Sequence, residues 1–197
     1  MNPEDTLETR IYLVDDEVEN VKLLKDILIS IGYKNNYPFT NGQEAVNHLK
    51  NNKPLTQEPV ILLSDACMPI MGGEEVIKNF IKIYNNVLAA LITGSLGEKD
   101  AANAGALAYM RKPTSIRRIE QITNFFSALG QGKLSEEEIE AFPNNFYSDE
   151  TKIIIPNLET YIKNNLLPIK AIEARRVTSK ALITPIYTPP KTEYSLP

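Results

Sequence analysis

Two unbroken apolar runs, Val60-Ile61-Leu62-Leu63 and Val87-Leu88-Ala89-Ala90-Leu91-Ile92, interrupt a chain whose other apolar residues mostly recur every three or four positions. A strand with one wet face alternates apolar with polar residues, so these runs predict strands buried on both faces. Shorter runs at Ile11 to Val14 and Leu107 to Met110 predict two more. Between them the period changes. Val18, Val21, Leu24, Ile27, Leu28 and Ile31 form an apolar stripe along a helix over residues 17–31, followed by Gly32, where a helix end favours a residue tolerant of positive φ. Residues 36–40 read as a strand whose Pro38 cannot donate to a ladder, which places it at a sheet edge. Helices are expected over residues 42–51, 73–84 (with Val76, Ile77, Phe80 and Ile81 on one face), 98–104 and 114–129. Five strands alternating with five helices predict an α/β doubly wound fold on a parallel sheet.

Composition leaves that picture intact and narrows the chemistry. The 197 residues, 43% hydrophobic and 23% charged, suffice for one globular domain and something smaller. No apolar run reaches the roughly 18 residues of a membrane span, and MNPEDTLETR lacks the core of a signal peptide, so a cytoplasmic location without membrane contact is expected. Cys67 is the only cysteine and His48 the only histidine, which removes an internal disulfide, most zinc chemistry and any histidine phosphorelay within the chain. His48 falls within a helical pattern and reads as a solvated residue. Up to Pro113 there are 11 Lys and Arg against 15 Asp and Glu, and beyond it 10 against 10. That balance offers no electrostatic footprint for nucleic acid, so binding of that kind is disfavoured.

The strand ends carry the chemistry. In an open parallel sheet, ligands gather at the carboxyl ends of the strands. Here three strands finish in Asp15-Asp16, in Asp65 and in Thr93, and the fifth is followed by Lys112. Any one of these could be a turn residue, as Asp often is. Together they set three carboxylates, a hydroxyl and an ammonium along one sheet edge. Two carboxylates about 4 Å apart repel by about 4 kcal/mol at an effective dielectric of 20, so such a cluster calls for a cation. Oxygen ligands with room for water and phosphate suit Mg²⁺. The set then suits phosphoryl transfer, with Asp65 as nucleophile, Mg²⁺ and Lys112 on the phosphoryl oxygens, and the Thr93 hydroxyl bonded to one of them.

The motifs LVDDE (Leu13 to Glu17), SDACMPIMGG (Ser64 to Gly73), LITGS (Leu91 to Ser95) and YMRKP (Tyr109 to Pro113) resemble those of response-regulator receiver domains of bacterial two-component systems. The resemblance spans residues 10–129. It implies a flavodoxin-like strand order 2-1-3-4-5 and a phosphorylation-controlled switch, with Asp65 accepting a phosphoryl group from a sensor histidine kinase or histidine phosphotransfer protein. It also implies Mg²⁺ organised by Asp15, Asp16, Asp65 and the backbone carbonyl of Cys67, a switch pair of Thr93 and Tyr109, and a cis Lys112-Pro113 bond. Catalysis would extend only to the protein's own phosphorylation and dephosphorylation. The 19 steps from Thr93 to Lys112 are about three fewer than the family pattern, which predicts a fourth helix about a turn short.

Residues 1–130 thus form the expected receiver, 131–183 a short helical extension and 184–197 an extended or disordered tail, with four prolines in its fourteen residues. Ser135-Glu136-Glu137-Glu138 is a capping-box pattern ahead of Ile139 and Phe142. Asn157 is expected to cap a helix carrying Leu158, Tyr161, Ile162 and Leu166. A third helix over 169–179 would bear Arg175 and Arg176, with Lys180 just beyond it, as a solvated face. The apolar residues of 153–166 are too few for a separate core and must cover the receiver near its short fourth helix and Tyr109, or a second copy. Output by contact with a downstream protein is the leading expectation, and a DNA-binding extension is the alternative. A haloacid dehalogenase-type phosphatase would need an acid two residues after the nucleophile, where this chain has Cys67.

Overall fold

The computed structural model describes residues 9–54, 58–94, 97–142 and 151–166. Strands β1 (Arg10–Val14), β2 (Asn36–Phe39), β3 (Val60–Asp65), β4 (Val87–Thr93) and β5 (Ala108–Arg111) pair in parallel in the order 2-1-3-4-5. Every residue of β3 and β4 is buried, as unbroken apolar runs require. Alternate residues feed two cores. Ile11, Leu13, Ile61, Leu63, Ala90 and Ile92 pack with helices α1 (Val18–Ser30) and α5 (Ile116–Gly130). Tyr12, Val14, Leu62, Ala89 and Leu91 pack with α2 (Gly42–Asn51), α3 (Gly73–Ile83) and α4 (Glu98–Ala104).

Local chemistry sets several boundaries. Asn41 caps α2 by accepting from the backbone N–H groups of Gln43 and Glu44, and Ser115 caps α5 by accepting from that of Arg118. Gly32 follows α1 with φ of 101°, a left-handed conformation that a side chain would oppose. The fourth helix is short, with seven residues.

Two faces differ from the expected stripes. Val18, the first residue of α1, is 61% exposed and Ile31, its C-cap, is half-buried; the buried set is Val21, Leu24, Ile27 and Leu28. Ile81 is likewise exposed at the margin of α3. His48 is not a solvated residue. It is half-buried against the rings of Tyr12, Tyr37 and Phe39, with Nδ1 3.1 Å from the Tyr12 hydroxyl.

The sheet also has a strand that pattern does not announce. β6 (Thr151–Ile153) lies antiparallel on β5, opposing Ala108, Tyr109 and Met110, so the described sheet has six strands. Ahead of it, α6 (Glu136–Ala141) starts at the expected capping box of Ser135 and Glu138, and Phe142 stacks on Phe125 with ring centroids 3.5 Å apart. After it, α7 (Ile155–Tyr161) continues as a π-helical turn, Ile162–Leu166. Asn157 is not its cap. Helix α7 begins two residues earlier, after Ile154, and the Asn157 amide donates to the carbonyls of Ala102 (3.0 Å) and Ala106 (2.7 Å) at the end of α4. The last carbonyls of a helix lack partners within the helix; that of Ala102 accepts from the Gly105 N–H as well as from this amide, which also reaches Ala106 just past the end of α4. Ile139, Ile153, Leu158, Tyr161 and Leu166 join the α1 and α5 core, while Ile154 joins the opposite one. The extension therefore packs on this chain's own sheet. The expected helix over 169–179, its basic residues and the segment from 184 lie outside the described residues.

Candidate functional site

Parallel register brings the site together. Val14 pairs with Ser64, Asp65 with Ile92, and Thr93 with Arg111, so Asp15, Asp65, Thr93 and Lys112 arrive at one level along the carboxyl edge. The chain then turns sharply at β3. The backbone N–H of Gly73 donates to the Ala66 carbonyl (3.0 Å), and a Cβ on Gly73 would lie 2.0 Å from the Asp65 carbonyl oxygen. Only glycine lets α3 start this close to the strand end.

Asp15 and Asp65 are both buried, and Lys112 stands between them. Its Nζ donates to Asp65 Oδ1 at 2.6 Å and to Asp15 Oδ2 at 2.9 Å. Burial alone would pull the Lys112 ammonium down, but the hydrogen bonds to Asp65 and Asp15 more than offset it and hold the group above its ordinary value. Asp65 Oδ2 accepts from the backbone N–H of Cys67 (2.9 Å). Two of the roughly four acceptor positions of a carboxylate are thus engaged, and lone pairs remain for a new bond. Asp15 also accepts from the Glu17 N–H (3.0 Å) and, through both oxygens, from the Asn20 amide (3.1 Å each).

Thr93 is fully buried, and its carbonyl accepts from the Lys112 N–H (2.8 Å), which ties the fourth strand to the lysine. Tyr109 is 7% exposed, and Lys112-Pro113 is cis. Asp16 and Cys67 are exposed beside the cluster, while Ser95 lies outside the described residues. Lys112 neutralises one of the two buried carboxylates, so the edge keeps net negative charge and an all-oxygen donor set, which fits a small hard divalent cation. Among the described residues no three His, Cys, Asp or Glu side chains already gather at metal-binding spacing. Pattern reading misses Asn20, although its place one turn into the helix that follows Asp15-Asp16 is the available signal.

A cavity of about 450 Å³ opens next to the cluster, lined by Asp15, Glu17, Asn20 and Lys112 on one side and by apolar groups including Leu23, Leu24, Ile92 and Pro113. Exposed Val18, Leu23 and Ile116 lie on the two helices beside it. No helix among the described residues is long and apolar enough to cross a membrane.

Comparison with known proteins supports the fold. The chemotaxis protein CheY of Thermotoga maritima is 33% identical over 119 residues, 58% of this chain and 94% of that protein. The CheY of Bacillus subtilis is 29% identical over the same shares. Among solved structures, a CheX-CheY complex with BeF3 and Mg²⁺ from Borrelia burgdorferi is 28% identical and aligns with a TM-score of 0.53, over 62% of this chain and 91% of that one. A CheY-like receiver domain from Methanospirillum hungatei aligns with a TM-score of 0.56 over 64% and 98% and supports the fold. Residues 11–124 match the response regulator receiver domain, and this chain belongs to that family.

Proposed function

We propose that the protein is a phosphorylation-controlled switch in which Asp65 accepts the phosphoryl group from a histidine kinase or histidine phosphotransfer protein. The observation that carries the reading is the Lys112 bridge: an ammonium held 2.6 Å from Asp65 in a buried, net-negative edge. An Asp65 oxygen attacks phosphorus, the bond from phosphorus to the donor's histidine nitrogen breaks, and that nitrogen keeps the electron pair. Lys112 and the Cys67 N–H hold the Asp65 carboxylate in place for attack, and Lys112 would neutralise charge on the phosphoryl oxygens. Asp15, Asp16, Asp65 and the Cys67 carbonyl would hold Mg²⁺, which supplies further charge neutralisation when bound. Asn20 fixes the orientation of Asp15. The apolar wall at Leu23, Leu24 and Pro113, with exposed Val18 and Ile116, suits docking of the donor protein. Thr93 and Tyr109 would act as the switch pair, and output would pass by contact with a downstream protein. Residues 1–130 would act as the receiver unit, and 131–183 with the tail 184–197 as its appendage.

Incubation with a small phosphodonor and Mg²⁺ should add one phosphate to the wild type and none to Asp65→Ala. Labelling that persists in Asp65→Ala would overturn the assignment.

A further inference from the structure

An isolated five-stranded receiver would leave β5 with a row of unpaired backbone groups, the kind of edge to which other chains add. Here β6 occupies that edge, and Ile153 and Ile154 pin it by entering opposite faces of the sheet. Five further attachments follow. The Ile154 N–H donates to the Leu107 carbonyl (2.9 Å), Lys152 Nζ lies 3.0 Å from Glu98 Oε2 on α4, Asn157 ties down Ala102 and Ala106, and the Tyr161 hydroxyl donates to Asn86 Oδ1 at the foot of β4. The strand is therefore held to β5, to both ends of α4 and to the start of β4.

The position of β6 matters because it stands on Tyr109. Lys152 opposes Tyr109 in register, Ile154 shares its core, and Tyr109 is 7% exposed with this cover in place. We propose that the β5 edge is an interaction surface whose occupant is this chain's own segment 151–166, and that phosphorylation of Asp65 tightens this docking. The direction comes from Tyr109. Docked β6 covers the ring, and in the proposed switch a phosphoryl group that draws in the Thr93 hydroxyl favours the same placement. Two events that favour one arrangement reinforce each other, and by linkage each strengthens the other by the same factor. This inference rests on Asp65 as the phosphoacceptor and on Thr93 and Tyr109 as the proposed switch pair.

The test uses the full chain with beryllium fluoride and Mg²⁺ as probe, ¹⁹F NMR to register the bound fluoride, and amide exchange read by mass spectrometry over residues 151–161. Exchange there should slow about tenfold in the wild type, within the 5- to 150-fold span of measured couplings, and should not change in Asp65→Asn. Lys152→Pro, which removes a ladder N–H outside the site, should weaken fluoride binding by a similar factor, while exposed Thr160→Ala leaves it unchanged. Bound fluoride with unchanged or faster exchange over 151–161 would overturn the coupling and leave the phosphoacceptor reading intact. Absence of bound fluoride in the wild type would overturn both.

Discussion

Lys112 Nζ and Asp65 Oδ1 lie 2.6 Å apart, and the same ammonium reaches Asp15 Oδ2 at 2.9 Å, so one positive charge serves two buried carboxylates. Breaking a buried pair from one side costs about 3–5 kcal/mol, because the charge left behind is uncompensated. The Lys112 side chain is 31% exposed, and screening lowers that figure, so Lys112→Met should cost about 1–2 kcal/mol at neutral pH. The folded ammonium is held above its ordinary value, so its stabilisation is fully present below the unfolded value and is lost as pH rises through the folded one. Urea denaturation at pH 8 and pH 11 should show the gap between wild type and Lys112→Met narrowing at the higher pH. A gap that stays constant or widens would contradict the ion-pair origin.

The alkaline limit also involves tyrosines. Burial pushes Tyr12 and Tyr33 up to about 12 and raises Tyr84 and Tyr161 as well; Tyr37 beside Tyr12, and Glu58 and Tyr84 beside Tyr84 and Tyr161 respectively, add to the effect. A phenol whose folded value is raised binds its proton more tightly in the native state, so stability falls from about pH 10 upward. With nine tyrosines and no tryptophan, absorbance near 295 nm reports tyrosinate cleanly. The expected titration is biphasic, with these four phenols, three buried and that of Tyr84 half-buried, ionising together as circular dichroism is lost. A single smooth curve complete before unfolding would refute the burial argument.

Gly73 is the position where the backbone around Asp65 has no room. A Cβ there would meet the Asp65 carbonyl at 2.0 Å, so Gly73→Ala must move either α3 or the end of β3. A clash of this kind in a packed region costs about 1–3 kcal/mol. Phosphorylation by a small donor should slow by at least about tenfold, the equivalent of roughly 1.4 kcal/mol. Gly72→Ala, whose added carbon meets the Ala66 carbonyl at 3.1 Å, should be milder on both measures.

The strands that build the site were legible because β3 and β4 are buried on both faces, and burial writes itself as uninterrupted apolar sequence. Asp15, Asp65, Thr93 and Lys112 followed because parallel strands end together. What pattern reading misses is set by distant partners. β6 is three residues long, and its place is decided by pairing with Ala108 to Met110 more than 40 residues earlier. Asn157 carries the side chain of a cap, yet the carbonyls of Ala102 and Ala106 claim its amide. His48 occupies a helical position that only the approach of Tyr37 and Phe39 on β2 converts into an aromatic pocket.

The proposed switch role of Thr93 separates acceptance of phosphate from the response to it. Thr93 is fully buried beside the Lys112 attachment, whereas the proposed carboxylate chemistry runs through Asp65 and Lys112. Thr93→Ala should therefore take up phosphate within about threefold of the wild-type rate, less than 1 kcal/mol in barrier. Phosphorylated Thr93→Ala should fail to bind whatever target the phosphorylated wild type retains in a pull-down. Equal retention would refute the switch role.

Asn157 tests how far the extension supports the receiver. Its amide donates to two carbonyls at the end of α4, a seven-residue helix that is too short to be stable alone. Asn157→Ala leaves Ala102 to its bond with the Gly105 N–H and removes the amide from Ala106. A buried acceptor left without its partner costs about 1–3 kcal/mol, and this residue is half-buried, so a loss of about 1–2 kcal/mol is expected. Asn157→Asp separates amide from shape, because a carboxylate of the same size cannot donate to either carbonyl and should cost at least as much as alanine. Exposed Thr160→Ala, three residues along the same helix, should cost under about 0.5 kcal/mol. Urea midpoints of the three variants decide the matter. If Asn157→Ala and Thr160→Ala melt alike, α4 holds its end without help, and the extension lends the receiver no stability through this contact.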